Sequence, residues 1–112
     1  MKLVALVALS AALLVPSALA ATPLVGTVGP GFTISLTQGG KKVTKLKAGT
    51  YTIKVSDKSN LHNFRLKGPG VSKTTTVAGK GSFTWTVTLK KGTYTVVCDP
   101  HAAFMKQVIK VA

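Results

Sequence analysis

Ser82-Phe83-Thr84-Trp85-Thr86-Val87-Thr88-Leu89 alternates polar and apolar side chains without a break. A strict period of two marks a half-buried β-strand, and here it places Phe83, Trp85, Val87 and Leu89 on one face, where the aromatics read as core. Gly49-Thr50-Tyr51-Thr52-Ile53-Lys54-Val55-Ser56 repeats the pattern. Working outward, residues 93–98, 107–111, 32–37, 62–66 and 74–77 read as further strands, with a weaker one at 24–28. Turn chemistry separates them: Gly29-Pro30-Gly31, Gly39-Gly40, Gly68-Pro69-Gly70, Gly79-Lys80-Gly81 and Lys90-Lys91-Gly92. No stretch carries a helical stripe. Seven to eight short strands at this spacing predict an all-β fold, a two-sheet antiparallel sandwich with Greek-key links. Lys-Ala-Gly-Thr-Tyr-Thr-Ile at 47–53 is echoed by Lys-Lys-Gly-Thr-Tyr-Thr-Val at 90–96, which reads as a duplicated turn leading into a strand.

The chain ahead of this pattern is different. Lys2 precedes an apolar run, and Ala18-Leu19-Ala20 forms a small-x-small cleavage site, so residues 1–20 read as a secretory signal and 21–112 as one exported domain, periplasmic, extracellular or at the cell surface. The apolar run is short for a membrane span. A domain of about 92 residues is large enough to bury a core, with little margin.

Charge and composition exclude several classes of function. Fifteen Lys and Arg stand against two acids, for a net charge of +13. In an exported protein such a surface points to an acidic protein partner or an anionic surface rather than to nucleic acid. The densest run, Lys41-Lys42-Val43-Thr44-Lys45-Leu46-Lys47, contains no aromatic on which a base would stack. Two acids, Asp57 and Asp99, provide no isolated carboxylate pair for catalysis, since that would need both of them to converge. One Cys excludes an internal disulfide, and no arrangement of nucleophile and base is visible, so no enzyme is expected. A monomer is the default.

One cluster carries chemistry. Cys98-Asp99-Pro100-His101-Ala102-Ala103-Phe104-Met105 follows a strand, and the other His of the chain lies in Asn60-Leu61-His62-Asn63-Phe64. One thiolate, two imidazoles and one thioether form the donor set of a mononuclear type 1 copper centre. Thiolate and thioether suit Cu(I), and imidazole binds either state. Zinc would also accept the Cys and His donors, although copper binds more tightly. Each residue alone has a blander reading, such as an inert buried Cys or a core Met. Their conjunction with an all-β pattern favours copper, since a free thiol in an exported chain is prone to oxidation.

In these residues the chain resembles the cupredoxins, the small blue copper proteins of the plastocyanin, pseudoazurin and amicyanin group. The resemblance implies a one-electron carrier with His62, Cys98 and His101 as the strong ligands of one copper ion and Met105 as the weak axial one. It implies that Asn63 ties the two ligand loops together, and that His101 opens to solvent through an apolar docking patch of Ala102, Ala103 and Phe104. Pro100 completes the family's Cys-x-Pro-His form; having no N–H, it removes one possible hydrogen bond to the sulfur, with an expected rise in potential. The three residues between His101 and Met105 make a loop intermediate between the plastocyanin and amicyanin forms. Val97 stands where plastocyanins carry Tyr, and the basic charge is opposite to their acidic face. Two other functions use the same residues: copper scavenging or delivery, and a basic surface-binding sandwich with Cys98 inert.

Overall fold

A computed structural model describes residues 22–112; the expected leader at 1–20 lies outside the described residues. Ten strands form two five-stranded sheets. One contains, in spatial order, β3 (Lys41–Lys42), β2 (Ile34–Gln38), β1 (Leu24–Val28), β5 (Gly49–Asp57) and β8 (Gly81–Leu89). The other contains β4 (Lys45–Leu46), β10 (Lys106–Val111), β9 (Gly92–Val97), β6 (Arg65–Gly68) and β7 (Val71–Thr74). The core lies between them. Leu24, Val28, Leu36, Ile53, Val55, Val87 and Leu89 of the first sheet meet Leu66, Tyr94, Val96, Ile109 and Val111 of the second, all buried. Among the described residues no helix is long and apolar enough to cross a membrane.

The two-sheet sandwich agrees with the period-two reading, with three differences. Both sheets are mixed rather than antiparallel, because β1 runs parallel to β5 and β4 parallel to β10. Strand direction depends on crossovers between distant segments, which local alternation does not encode. Several bounds also move: the strand expected at 32–37 begins at Ile34, that at 62–66 begins at Arg65, and that at 74–77 ends at Thr74. Finally, Phe83 is 44% exposed and Trp85 only partly buried. β8 is the edge of its sheet, so the start of its inward face runs past the opposing layer.

The echoed sequences are structurally equivalent. Tyr51 Oη donates to the Lys47 carbonyl at 2.7 Å, and Tyr94 Oη accepts from the Lys90 amide at 2.8 Å while donating to the Pro69 carbonyl at 2.9 Å. Each Tyr thus ties its strand back to the residue four positions upstream, as tyrosine corners do in other sandwiches.

Two further contacts hold the layers. Gln107, buried on β10, donates through Nε2 to the carbonyls of Leu36 (3.0 Å) and Val43 (2.7 Å) and accepts from Leu36 N–H at 3.0 Å. One side-chain amide therefore does the work of a backbone bridge between the sheets. Gly26, on the inward face of β1, has the Phe64 ring against it: a Cβ there would lie 2.5 Å from the ring. Only glycine admits that aromatic, and Phe64 directly follows His62 and Asn63.

Candidate metal centre

The chemistry-bearing residues meet at one end of the sandwich because two connections converge there. The first follows β5. Asp57, buried at the end of that strand, accepts from Ser59 N–H at 3.1 Å and from Thr75 Oγ1 at 2.6 Å. Thr75 Oγ1 in turn accepts from Phe64 N–H at 2.8 Å, and Thr75 N–H donates to the Phe64 carbonyl at 3.0 Å. Phe64 spends its backbone groups on Thr75 rather than on a neighbouring strand, which is why residues 62–64 are a loop. That loop, pinned at both ends, buries the His62 ring.

The second connection is the β9–β10 hairpin. Val97 pairs with Lys106, so Cys98 and Met105 come next to each other across the hairpin, and Cys98 N–H donates to the Met105 carbonyl at 3.0 Å. Between them Asp99–His101 forms one 3₁₀ turn with Pro100 in its first turn, closed by His101 N–H to the Cys98 carbonyl at 3.0 Å. Met105 N–H returns to the His101 carbonyl at 2.9 Å. The Cys-x₂-His-x₃-Met spacing is thus a hairpin connection that presents three side chains to one point. Cys98 and Met105 are buried, and His101 is partly exposed.

His62 Nδ1 and His101 Nδ1 each lie 3.6 Å from Cys98 Sγ, and 3.1 Å from each other. A first-row ion about 2.0 Å from nitrogen and about 2.3 Å from sulfur needs donor separations of about 3.3–3.5 Å (N to N) and about 3.5–3.7 Å (N to S), at angles between tetrahedral and trigonal. The triangle therefore fits an N₂S site with little movement. Met105, buried in the same end of the core, supplies a thioether nearby. The donor set is that of type 1 copper.

Polar residues outside the triangle lock the two connections together. Asn63, fully buried, accepts from Asp99 N–H at 2.7 Å and donates to Asp99 Oδ2 at 3.0 Å and Thr74 Oγ1 at 2.9 Å. Arg65 then grips Asp99 through Nε (2.9 Å) and Nη2 (2.8 Å). The lone Arg of the chain and both of its acids are thus engaged around the site. Sequence reading singled out Asn63 but attached no role to Arg65 or Asp99, which lie 34 residues apart. Hydrogen bonding to Arg65 holds the Asp99 carboxyl below its ordinary value; partial burial opposes this, and the Asn63 amide adds to it. A depressed carboxylate contributes stability that is present above its ordinary titration range and is lost as pH falls through the lowered one.

Phe32, expected in a strand, instead leaves the chain before β2 and stands over the imidazoles. Its ring centroid is 5.1 Å from that of His62 and 5.0 Å from that of His101, edge to face. Phe104 lies 5.7 Å from His101 and 6.0 Å from Phe32, so the two aromatics sit together against that imidazole. Ala102, Ala103 and Phe104 are exposed around His101, and Phe32 (63%) and Leu61 (67%) extend this apolar surface. Neither was singled out from sequence, since each reads locally as a strand or loop residue.

A protein-family model for copper-binding proteins of the plastocyanin/azurin family matches residues 33–112. Among solved structures, a reduced rusticyanin is similar at 24% identity with a TM-score of 0.58, covering 80% of this chain and 77% of its own. A rusticyanin from Thiobacillus ferrooxidans is similar at 25% identity with a TM-score of 0.54, covering 80% and 75%. An oxidized mutant amicyanin is similar at 17% identity with a TM-score of 0.52, covering 86% and 88%. No curated protein matches significantly.

Proposed function

The chain belongs to the plastocyanin/azurin family of copper-binding proteins, and from that premise we propose that it is an exported one-electron carrier. His62, Cys98 and His101 would hold its type 1 copper, with the Met105 thioether as a further donor. The observation that carries this reading is the convergence of one thiol and two imidazoles within 3.6 Å of one another at the buried end of a rigid sandwich. When bound, the copper supplies a Cu(II)/Cu(I) couple. The protein supplies a donor triangle held by the Asn63 and Thr75 bonds, so that both oxidation states meet one geometry. His101, half-covered by Phe32 and Phe104, is the ligand through which a partner reaches the site.

Pro100 tunes that couple, with a sign opposite to the one expected from sequence. A thiolate without a hydrogen-bond donor gives more charge to Cu(II) than to Cu(I), so the missing N–H lowers the potential. Pro100→Ala, which restores an N–H, is expected to raise it by about 60 mV, or about 1.4 kcal/mol for one electron. An unchanged or lower potential in voltammetry contradicts the assignment.

A carrier and a copper-delivery protein differ in what reduction does. The copper-loaded protein is expected to give a reversible one-electron wave and to keep its copper against a Cu(I) chelator through repeated cycles. Loss of copper on reduction would instead favour scavenging or delivery.

A further inference from the structure

The two sheets end in four edge strands, and three of them are short and carry lysine. β3 is Lys41–Lys42, β4 is Lys45–Leu46, and β7, Val71–Thr74, holds Lys73. β8 is the exception. It runs from Gly81 to Leu89 with no charge, no proline and an unbroken register against β5. Short length, lysine, proline and bulges are the devices that keep a sheet edge from pairing with another chain. β8 has none of them.

Its outer edge is also open. β8 pairs with β5 alone, and no other segment among the described residues bonds its backbone. β7, the edge of the facing sheet, shares with β8 a cleft of about 380 Å³ instead of a ladder. The inward face is uncovered at the start of the strand. Phe83 is 44% exposed, and Trp85 rests on Phe64 with ring centroids 6.0 Å apart while staying only partly buried.

We propose that β8 pairs antiparallel with β8 of a second copy, about a dyad at Thr84. The strand is self-complementary in that register. Phe83 of each copy faces Trp85 of the other, Ser82 faces Thr86 and Gly81 faces Val87. Inward residues thus meet inward residues, and the exposed aromatics cover each other twice. A register centred on Trp85 would set Lys80 opposite Lys90, and like charges directly opposite are destabilising. Centred on Thr84, Lys80 falls opposite Thr88. Charge also names the occupant: two copies at a net +13 repel across every lysine-bearing edge, and β8 is the edge that carries none. Antiparallel pairing sends the Gly81 and Asp57 ends, where the metal donors lie, in opposite directions, so both sites stay open. A ladder over residues 81–87 is small beside the roughly 800 Å² per partner of a standard interface, so the dimer is weak, with a dissociation constant of about 0.1 mM.

The test is sedimentation velocity of the full chain from about 10 μM to about 1 mM, at low salt and at about 0.5 M salt. The parent is expected to pass from monomer to dimer with concentration, and more readily at high salt, which screens the repulsion between copies. Trp85 is the single Trp of the chain and lies in the proposed interface, so its emission should move to shorter wavelength over the same range. That signal is read on the parent, independently of how any variant folds. Thr84→Lys, at an exposed position, sets two lysines face to face at the dyad and is expected to weaken association about tenfold or more. Thr52→Lys adds the same charge one strand in, on β5, and is expected to leave association unchanged. A parent that stays monomeric, dimerisation without a change at Trp85, dimers that Thr84→Lys leaves as they were, or equal loss in both variants would each overturn the proposal.

Discussion

Asn63→Ala is expected to lower the stability of the metal-free protein by about 3 kcal/mol and its copper affinity by about 10- to 100-fold. The Asn63 amide makes three hydrogen bonds while buried, and two of them go to Asp99 in the opposite ligand connection. Alanine leaves the Asp99 N–H and the Thr74 hydroxyl without this partner and unties the loop carrying His62 from the turn carrying His101. Each buried bond lost is worth about 1 kcal/mol, and second partners of metal ligands typically carry the affinity factor quoted. Urea unfolding of the apo-protein should show a lower midpoint with an unchanged slope, and copper competition should show the weaker binding. A midpoint within error of the parent would mean that the two connections are held by something other than this amide.

Gln107→Leu is expected to cost about 3 kcal/mol, for a different reason. Leucine nearly matches the volume, so the core stays filled. Leu36 N–H and the Val43 carbonyl then lose this partner between the sheets, while the Leu36 carbonyl keeps the Val43 N–H at 3.0 Å. Leaving buried backbone groups unsatisfied costs about 1–3 kcal/mol each, less whatever local relaxation recovers. Besides the lower unfolding midpoint, amide hydrogen exchange at Leu36 should quicken more than at Ile53, which pairs within its own sheet. A variant as stable as the parent, with Leu36 still protected, would show that the Gln107 bonds are dispensable.

What was legible in the sequence follows from what local pattern can encode. β5 and β8 alternate strictly, and each lies within a residue of its expected bounds. The candidate donors were legible because the chain has so few soft ligands that their chemistry stands out, and the fold brings His62, Cys98 and His101 together. Errors arose where alternation continued past the true end of a strand. Phe32-Thr33-Ile34 keeps the period of two, yet Phe32 covers the imidazoles; His62-Asn63-Phe64 looks extended, yet Phe64 gives its N–H to Thr75 Oγ1. Phe83 shares a face with Val87 but begins an edge strand that outruns the opposing sheet. The Arg65–Asp99 pair, the Gln107 clamp and the parallel pairings all join segments far apart in the chain, and no short-range spacing announces them.

The most direct measurement of the central claim is a visible absorption spectrum of the protein with one equivalent of Cu(II), before and after ascorbate, alongside Cys98→Ser. The account predicts an intense thiolate-to-copper band that bleaches on reduction, returns in air and is absent from the serine variant. A colourless parent protein, or a spectrum that Cys98→Ser leaves unchanged, would contradict it: Cys98 would not be a copper ligand, and the basic sandwich would need another function.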